Sequence, residues 1–206
     1  VAAALMAFMT VCIVRAFLEQ CPNLRVIGAA LKGYDNIDVD AAAERGVVVT
    51  IVPDLLTEPT AELAIGLMIA LGRHIPAGDR GIRQSGFAGW RPQFYGTGIG
   101  NSTVGIVGFG RVGQAIARRL SGFGCRIVAF DAGPLGKRVG IEAMTFEDVL
   151  SSADIVVLGL PLTEATTGLI DAEAIGRMRR GALLVNPARG SLVDEAAVAD
   201  ALVSGN

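Results

Sequence analysis

The feature that most constrains this chain is a glycine pattern placed between an apolar run and a helical pattern. Residues 104–107 read Val-Gly-Ile-Val, and Gly108, Gly110 and Gly113 follow at once in the spacing Gly-x-Gly-x-x-Gly. At such a strand-to-helix turn the first glycine allows the tight turn, the second lets a pyrophosphate approach the backbone, and the third lets the helix pack on the strand. Unpaired amides at the helix N-terminus then face the phosphates. The pattern therefore predicts a dinucleotide-binding turn.

An acidic residue stands where a dinucleotide site needs one. Asp131 follows the apolar run 126–130 and comes 18 residues after Gly113. A carboxylate at this position accepts a hydrogen bond from a ribose hydroxyl and repels a 2'-phosphate, so the sequence predicts NAD rather than NADP as the cofactor. Arg126 and Arg138 are nearby cations, and for that reason we expect the preference to be partial.

Apolar runs and helical patterns alternate along the chain, which is typical of parallel βαβ units. The alternation predicts the α/β class with a Rossmann-type, doubly wound parallel sheet. A loop rich in glycine and aromatic residues, 86–103, separates two such series, and we place the domain boundary near residue 97, between domains 1–96 and 97–206. Strands are predicted at 3–9, 24–31, 47–52, 104–107, 126–130, 155–160 and 182–186, and helices at 41–45, 60–73, 111–121, 146–151, 171–178 and 194–203.

Composition excludes several classes of protein. The 206 residues are 51% hydrophobic and 18% charged, which is a core-forming composition and not that of a disordered chain. Eighteen basic and 20 acidic residues give a net charge of -2, without the basic excess of nucleic-acid-binding or membrane-surface proteins. Three cysteines without a Cys-x-x-Cys spacing predict neither a disulfide framework nor a metal site, and they fit a cytoplasmic location. The apolar segment 1–14 is short for a membrane span and predicts a buried strand.

Two cations stand among glycines at predicted strand ends. Lys32 precedes Gly33 after the second apolar run, and Arg189 precedes Gly190 after the last one. A charge at a strand end is often only a solvated surface charge, but flanking glycines expose backbone amides and permit close approach. Both cations are therefore candidates for holding an anion. The only histidine, His74, follows the longest predicted helix, and we interpret it as structural or surface-exposed.

Three stretches of the chain resemble the D-2-hydroxyacid dehydrogenase family: GFGRVG at 108–113, VNPARGSLVDEAAV at 185–198 and PTAELAIGLMIALGR at 59–73. A narrower resemblance, to the phosphite dehydrogenase branch of that family, rests on ALKGYDNIDVDA, VPDLLTEPTAELAIGL and GWRPQFYGTG. The resemblance implies an NAD-binding domain, part of a flavodoxin-like catalytic domain, and a homodimer when full length. It also implies that a histidine base and its glutamate lie outside this chain, which resembles a fragment lacking both ends.

The family resemblance also implies roles for individual residues. Lys32 and Arg189 are expected to bind the substrate anion and to serve catalysis, with the Gly33 amide beside Lys32. Met9, Trp90 and Tyr95 match positions near the substrate. The cofactor-contacting positions are Thr60, Gly108, Gly110, Arg111, Val112, Gly113, Asp131, Leu160, Pro161, Pro187, Ala188 and Arg189.

The function that this resemblance implies is the oxidation of phosphite to phosphate with hydride transfer to NAD. A first alternative is an NAD-dependent dehydrogenase of a 2-hydroxy acid such as glycerate or lactate, in which Arg189 holds the carboxylate. A second alternative is a non-catalytic, NAD-responsive binding protein. In each case we expect a small anionic ligand and no metal, nucleic acid or membrane.

Overall fold

The computed structural model describes residues 3–8, 10–87, 89–90, 93–136 and 138–205. The chain forms two compact units, Val1–Thr57 and Glu58–Asn206. Every strand pair in both units is parallel, which confirms the predicted α/β class. Within the described ranges, no helix is long and apolar enough to cross a membrane.

The first unit is a three-stranded sheet with two short helices. Its elements are β1 (Ala4–Ala7), α1 (Arg15–Glu19), β2 (Val26–Ala29), α2 (Val39–Glu44) and β3 (Val48–Thr50). The strand order is β1-β2-β3, so β2 is central, and its Ile27 side chain is fully buried. Asp38 caps α2, because its carboxylate accepts a hydrogen bond from the Ala41 amide at 2.9 Å. The unit has one hydrophobic core, made largely of alanine and branched aliphatic side chains.

The apolar segment at the start of the chain is not the buried strand that its composition predicted. β1 is short and lies at the edge of its sheet, with Met6 70% exposed. Farther along, Ile13 is buried and forms one isolated parallel bridge to Ile37. An edge strand has a neighbour on one side only, so an unbroken run of apolar residues is not covered along its whole length. The prediction of a strand was correct, and the prediction of its burial was wrong.

The second unit is a five-stranded sheet in the order β6-β5-β4-β7-β8. Alternate residues of its central strand enter cores on opposite faces, since Ile106 packs with helices α3 and α5 while Val107 packs with α6, α7 and α8. The elements are α3 (Thr57–Gly72, whose first residue ends the first unit), α4 (Ile75–Ser85), β4 (Thr103–Val107), α5 (Arg111–Leu120), β5 (Arg126–Phe130), β6 (Ile141–Ala143), α6 (Phe146–Ser152), β7 (Ile155–Leu158), α7 (Ala172–Arg177), β8 (Leu183–Val185) and α8 (Glu195–Ser204).

The strand order of the second unit places a binding crevice at one position. From β4 the chain continues into β5 on one side, and it later returns to β7 on the other side of β4. In open parallel sheets, ligands bind outside the carboxyl ends of the strands at the point where the order reverses. The carboxyl end of β4 is therefore the expected ligand-binding end, and the glycine turn follows it directly.

Three elements were not predicted from the sequence. Helix α4 has the sequence IPAGDRGIRQS, with two glycines and no buried residue, so its apolar side chains do not pack in a core. Strand β6 has only three residues, one of them the charged Glu142, and α1 has only five. Short elements carry too few residues for a periodic pattern to stand out, and the neighbouring structure decides their conformation.

The compact units divide earlier in the chain than the predicted boundary near residue 97. Helix α3 belongs to the second unit, because Ala61, Ala64 and Met68 are buried in the core that covers one face of its sheet. In the sequence this helix precedes the aromatic loop, which suggested that it belongs to the first domain. The assignment of 1–96 and 97–206 to substrate and cofactor roles stays a prediction.

Candidate functional site

The glycine turn after β4 has the geometry that its spacing predicted. Gly108 has φ +94°, and a Cβ atom on it would lie 2.7 Å from the carbonyl carbon of Gly159. A Cβ on Gly113 would collide with the Gly108 carbonyl oxygen, so α5 can approach the turn only because this residue is glycine. By contrast, nothing lies within 4 Å of a Cβ placed on Gly110. Gly108 and Gly113 thus shape the turn, and Gly110 leaves open space beside the backbone.

Helix α5 begins at this open space. Its N-cap, Gly110, has extended backbone and no side chain, so no capping side chain accepts hydrogen bonds from the first amides of the helix. Arg111 follows as the first helical residue, the first turn holds no acidic residue, and Val112 is half-buried. An uncapped helix start behind an open glycine fits a pyrophosphate, which the backbone amides of residues 111–113 would hold.

Asp131 lies at the carboxyl end of β5 and contacts the glycine turn directly. Its Oδ2 atom accepts a hydrogen bond from the Phe109 amide at 2.6 Å, and its Oδ1 atom accepts one from the Gly133 amide at 2.9 Å. A carboxylate has about four lone-pair sites, so acceptor capacity remains for a ribose hydroxyl. The sequence predicted the position of this carboxylate but not its contact with the turn.

The end of β7 closes the other side of the turn. The Gly159 amide donates to the Val107 carbonyl oxygen at 2.7 Å, and the Leu160 side chain lies against the position that a Cβ on Gly108 would take. Pro161 follows, and its carbonyl oxygen accepts a hydrogen bond from the Thr166 hydroxyl at 2.8 Å. Of the predicted cofactor positions, the structure therefore brings together Gly108, Asp131 and Leu160.

Arg189 follows β8 in a loop that one side chain holds in place. The Asn186 amide nitrogen donates to the Arg189 carbonyl oxygen at 2.7 Å, and the Asn186 Oδ1 atom accepts from the Ala188 amide at 3.0 Å. The half-buried Arg189 guanidinium donates to the Ala188 carbonyl oxygen at 3.0 Å, and Pro187 is also half-buried. Asn186 was not among the predicted site residues. Its place between β8 and a proline was the available signal, because asparagine hydrogen-bonds to nearby backbone in turns.

Lys32 and Gly33 lie in the first unit, in the loop that follows β2. Both are half-buried, and the Lys32 ammonium makes no ion pair with any described residue. Asn36 secures this loop, because its side-chain amide donates to the Val11 carbonyl oxygen at 2.7 Å and to that of Phe8 at 3.2 Å. Met9, also expected near the substrate, lies outside the described residues.

The remaining predicted residues lie on α3 or in the segment that follows it. Thr60 is half-buried in the first turn of α3. Trp90 and Tyr95 are 80% and 76% exposed, so their assignment as aromatics beside the substrate stays a prediction. His74 precedes α4 with φ 53°, and its ring centroid lies 6.5 Å from that of Phe94. These positions agree with a structural interpretation of the histidine.

The two cations near Asp131 in sequence differ in their surroundings. Arg126 forms an ion pair with Glu142 at 2.6 Å. It starts β5 while Asp131 follows the end of that strand, so their Cα atoms are roughly 16 Å apart at about 3.3 Å per residue. The expectation that Arg126 lies near the ribose carboxylate was therefore wrong. Arg138 is exposed, and its side chain donates to the Leu135 carbonyl oxygen at 3.4 Å.

Residues 65–206 match the family model described as "D-isomer specific 2-hydroxyacid dehydrogenase, NAD binding domain". The chain belongs to the D-2-hydroxyacid dehydrogenase family. This membership confirms the family resemblance and NAD as the cofactor. Within the described residues no cluster of potential metal ligands is found.

Curated relatives of this D-2-hydroxyacid dehydrogenase chain include two differently named enzymes. It is 43% identical over 192 residues to D-3-phosphoglycerate dehydrogenase from Mycobacterium bovis, covering 92% of this chain and 36% of the relative. It is 43% identical over 196 residues to glyoxylate reductase from Pyrococcus furiosus, covering 91% of this chain and 58% of the relative. The chain thus spans between about a third and three fifths of the length of these relatives.

Solved structures share the fold of this chain. The TT0316 protein from Thermus thermophilus superimposes with a TM-score of 0.92 at 37% identity, over 98% of this chain and 65% of that chain. D-lactate dehydrogenase from Aquifex aeolicus, solved with NAD and lactic acid, superimposes with a TM-score of 0.91 at 26% identity, over 99% of this chain and 62% of that chain.

Proposed function

We propose that this chain forms the NAD site and the substrate-anion contacts of an NAD-dependent D-2-hydroxyacid dehydrogenase. The observation that carries the proposal is Arg189, whose loop Asn186 holds at the end of β8 in the same unit as the glycine turn. A phosphoglycerate dehydrogenase and a glyoxylate reductase among the relatives favour a small carboxylic acid as the substrate.

The proposed roles follow from the chemistry of each group. The planar guanidinium of Arg189 is suited to grip two oxygens of a carboxylate, whereas Lys32 offers a compact charge beside the Gly33 amide. NAD, when bound, supplies the hydride acceptor. The amides of residues 111–113 hold the pyrophosphate, and Asp131 holds the ribose. In this proposal the base is a histidine that is not in this chain, because His74 stands at the start of α4 beside Phe94.

A second candidate function is the oxidation of phosphite. The half-buried Lys32, which makes no ion pair with a described residue, supports it, because phosphite is largely a dianion near neutral pH and needs cations around it. The resemblance of the 89–98 segment to phosphite dehydrogenases supports it as well, but the exposed Trp90 and Tyr95 supply no contact that favours phosphite over a carboxylic acid. We therefore place phosphite second.

The deciding experiment measures NADH formation by the protein expressed from its complete gene. NAD is supplied with D-3-phosphoglycerate, D-glycerate, glycolate, D-lactate or phosphite. Turnover of a hydroxy acid supports the proposal, and turnover of phosphite alone replaces it with the second candidate. NAD binding by calorimetry without any turnover supports the non-catalytic binding protein.

Arg189→Lys tests the anion contact in the same assay. Loss of the planar fork removes a charge-assisted interaction of about 1.5–3 kcal/mol, so we expect KM for the acid to rise roughly tenfold to a hundredfold. Arg180→Lys is the matched control, because Arg180 is exposed and makes no hydrogen bond or ion pair with a described residue. An unchanged KM in Arg189→Lys contradicts the assignment.

We further propose a homodimer that uses α3 and α4. Leu63, Leu67 and Leu71 recur every four residues on α3 and are 40–56% exposed, and α4 exposes Ile75 and Ile82. Exposed apolar side chains that share one helix face, as the three leucines of α3 do, are typical of association sites. Sedimentation of Leu67→Glu is expected to show a monomer while the unchanged protein is a dimer, and a dimeric Leu67→Glu contradicts the use of this surface.

The three cysteines form no disulfide, which keeps the cytoplasm as the proposed location.

A further inference from the structure

An open groove of about 800 Å³ adjoins Asp131 in the second unit. It is lined by β5, β6 and the first turn of α6, and the described charged residues that line it are all acidic: Asp131, Glu142, Glu147 and Asp148. We propose that Glu147 decides against NADP in addition to Asp131. The inference concerns the cofactor and does not depend on which acid is the substrate.

Asp131 alone does not fully discriminate between NAD and NADP, because its carboxylate also holds the glycine turn. Both of its oxygens accept backbone hydrogen bonds, from Phe109 at 2.6 Å and Gly133 at 2.9 Å. The positive ends of those N–H groups face the carboxylate, so they reduce its electrostatic repulsion of a nearby phosphate. Replacement of Asp131 therefore disturbs the turn that both NAD and NADP use, and it does not isolate the discrimination between them.

The charges of the groove differ in how far they are neutralised. Glu142 is paired with Arg126 at 2.6 Å, so this pair adds little net charge. The Asp148 carboxylate accepts a hydrogen bond from the hydroxyl of Thr145, the N-cap of α6, at 2.7 Å. Glu147 is exposed and accepts no hydrogen bond from a described residue, and Arg177, which interacts with it electrostatically, is already paired with Glu173 at 2.7 Å. Its negative charge is therefore less compensated than that of Glu142 or Asp148.

A 2'-phosphate brings close to two additional negative charges to this groove. For a separation of about 8 Å in water, Coulomb repulsion between those charges and one carboxylate weakens binding roughly threefold to fivefold at low ionic strength. Salt screens that repulsion, because the Debye length falls to about 3 Å at 1 M ionic strength. NAD lacks the phosphate, so its affinity is expected to stay within about twofold.

The test is calorimetric titration of NAD and NADP at low and high salt, without substrate. We expect Glu147→Gln to lower the ratio of the NADP Kd to the NAD Kd roughly threefold to fivefold at low salt and to leave it unchanged at high salt. Glu142→Gln leaves Arg126 unpaired at the start of β5, roughly 16 Å from Asp131, and is therefore expected to lower the ratio less than Glu147→Gln does. Glu19→Gln, an exposed glutamate of the first unit, is the matched control.

The two groove variants keep the proposal falsifiable. If far-UV circular dichroism shows both folded and the ratio stays within about 1.5-fold of the unchanged protein at low salt, the proposal is overturned. If the ratio falls equally at low and high salt, the effect is not electrostatic and the proposal is also overturned. If Glu147→Gln only lowers Tm, the residue serves the dipole of α6 and not cofactor choice.

Discussion

The two units use different means to place functional groups after a parallel strand. In the second unit the turn after β4 is shaped by backbone constraints, namely the positive φ of Gly108 and the contact of Gly113 with the turn. In the first unit the side chain of Asn36 holds the loop after β2 through two hydrogen bonds. A site built by glycine backbone leaves a spacing in the sequence, whereas a site held by one side chain does not.

The hydrophobic core of the second unit is also more extensive than that of the first. The second unit covers both faces of a five-stranded sheet, and the first has three strands and one hydrophobic core. Small cores are marginally stable because they bury a smaller fraction of the chain. We therefore expect the first unit to be the weaker of the two, and the following predictions test and refine this contrast.

Matched truncations at the centres of the two sheets are expected to have the largest effect. Ile27 of β2 and Ile106 of β4 are both fully buried, so each change to alanine costs about 4 kcal/mol of folding free energy. In Ile27→Ala, hydrogen exchange should show lost amide protection in the first unit only, with NAD affinity kept. In Ile106→Ala, NAD affinity should be lost. Loss of protection in both units of Ile27→Ala would show a single cooperative unit.

The glycine turn offers an internal comparison. Gly108→Ala forces a side chain into a positive-φ position against Gly159, which costs about 3 kcal/mol and is expected to abolish NAD binding. Gly110→Ala meets open space, so thermal unfolding is expected to be nearly unchanged while the Kd for NAD rises. An equal loss of Tm in both variants would contradict the distinction between Gly108, which shapes the turn, and Gly110, which leaves space beside it.

Asn186 tests whether a single side chain can hold a functional loop in the second unit, as Asn36 does in the first. Asn186→Ala removes two hydrogen bonds beside Arg189, a loss of about 2 kcal/mol. We expect KM for the substrate anion to rise roughly tenfold and the Kd for NAD to rise less, because Pro187 and Ala188, two expected cofactor positions, lie in the same loop. Asn101→Ala is the control, because the Asn101 side chain is exposed and makes no hydrogen bond with a described residue. An unchanged KM would refute the positioning role.

The smallest expected effect is a pH dependence at the α3–α5 contact. Arg119 lowers the pKa of Glu58 by a hydrogen bond at 2.6 Å, and Arg118 adds a second contact at 2.7 Å. Since the folded-state pKa lies below the ordinary value of about 4.3, this contribution to stability is full above that value and is lost as pH falls through the lowered pKa.

The measurement is the Tm difference between the unchanged protein and Glu58→Gln as a function of pH. We expect a small difference at pH 7 that shrinks as pH falls below about 4. Glu19→Gln, outside the contact, should show no such trend. A difference that grows on acidification would reverse the assigned sign.

The sequence anticipated the fold of the second unit more fully than that of the first. Strands β4, β5, β7 and β8 were predicted because each is a run of mostly apolar residues, as is typical of strands in a parallel sheet covered on both faces. The strand β1 was predicted in place, but its edge position and exposed Met6 depend on which neighbours it has. Helix α4 was missed because no core dictates its pattern.

By itself, the sequence determined the dinucleotide turn, its acidic residue after β5 and the alternation of strands and helices. These features are local, because glycine spacing reports backbone conformation and apolar runs report burial. Only the tertiary structure decided that Asp131 holds the Phe109 amide, that Asn186 holds the Arg189 loop, that Arg126 belongs to Glu142, and that α3 packs in the second unit. Each of these contacts joins residues whose meeting depends on how the chain folds back, and no local pattern encodes it.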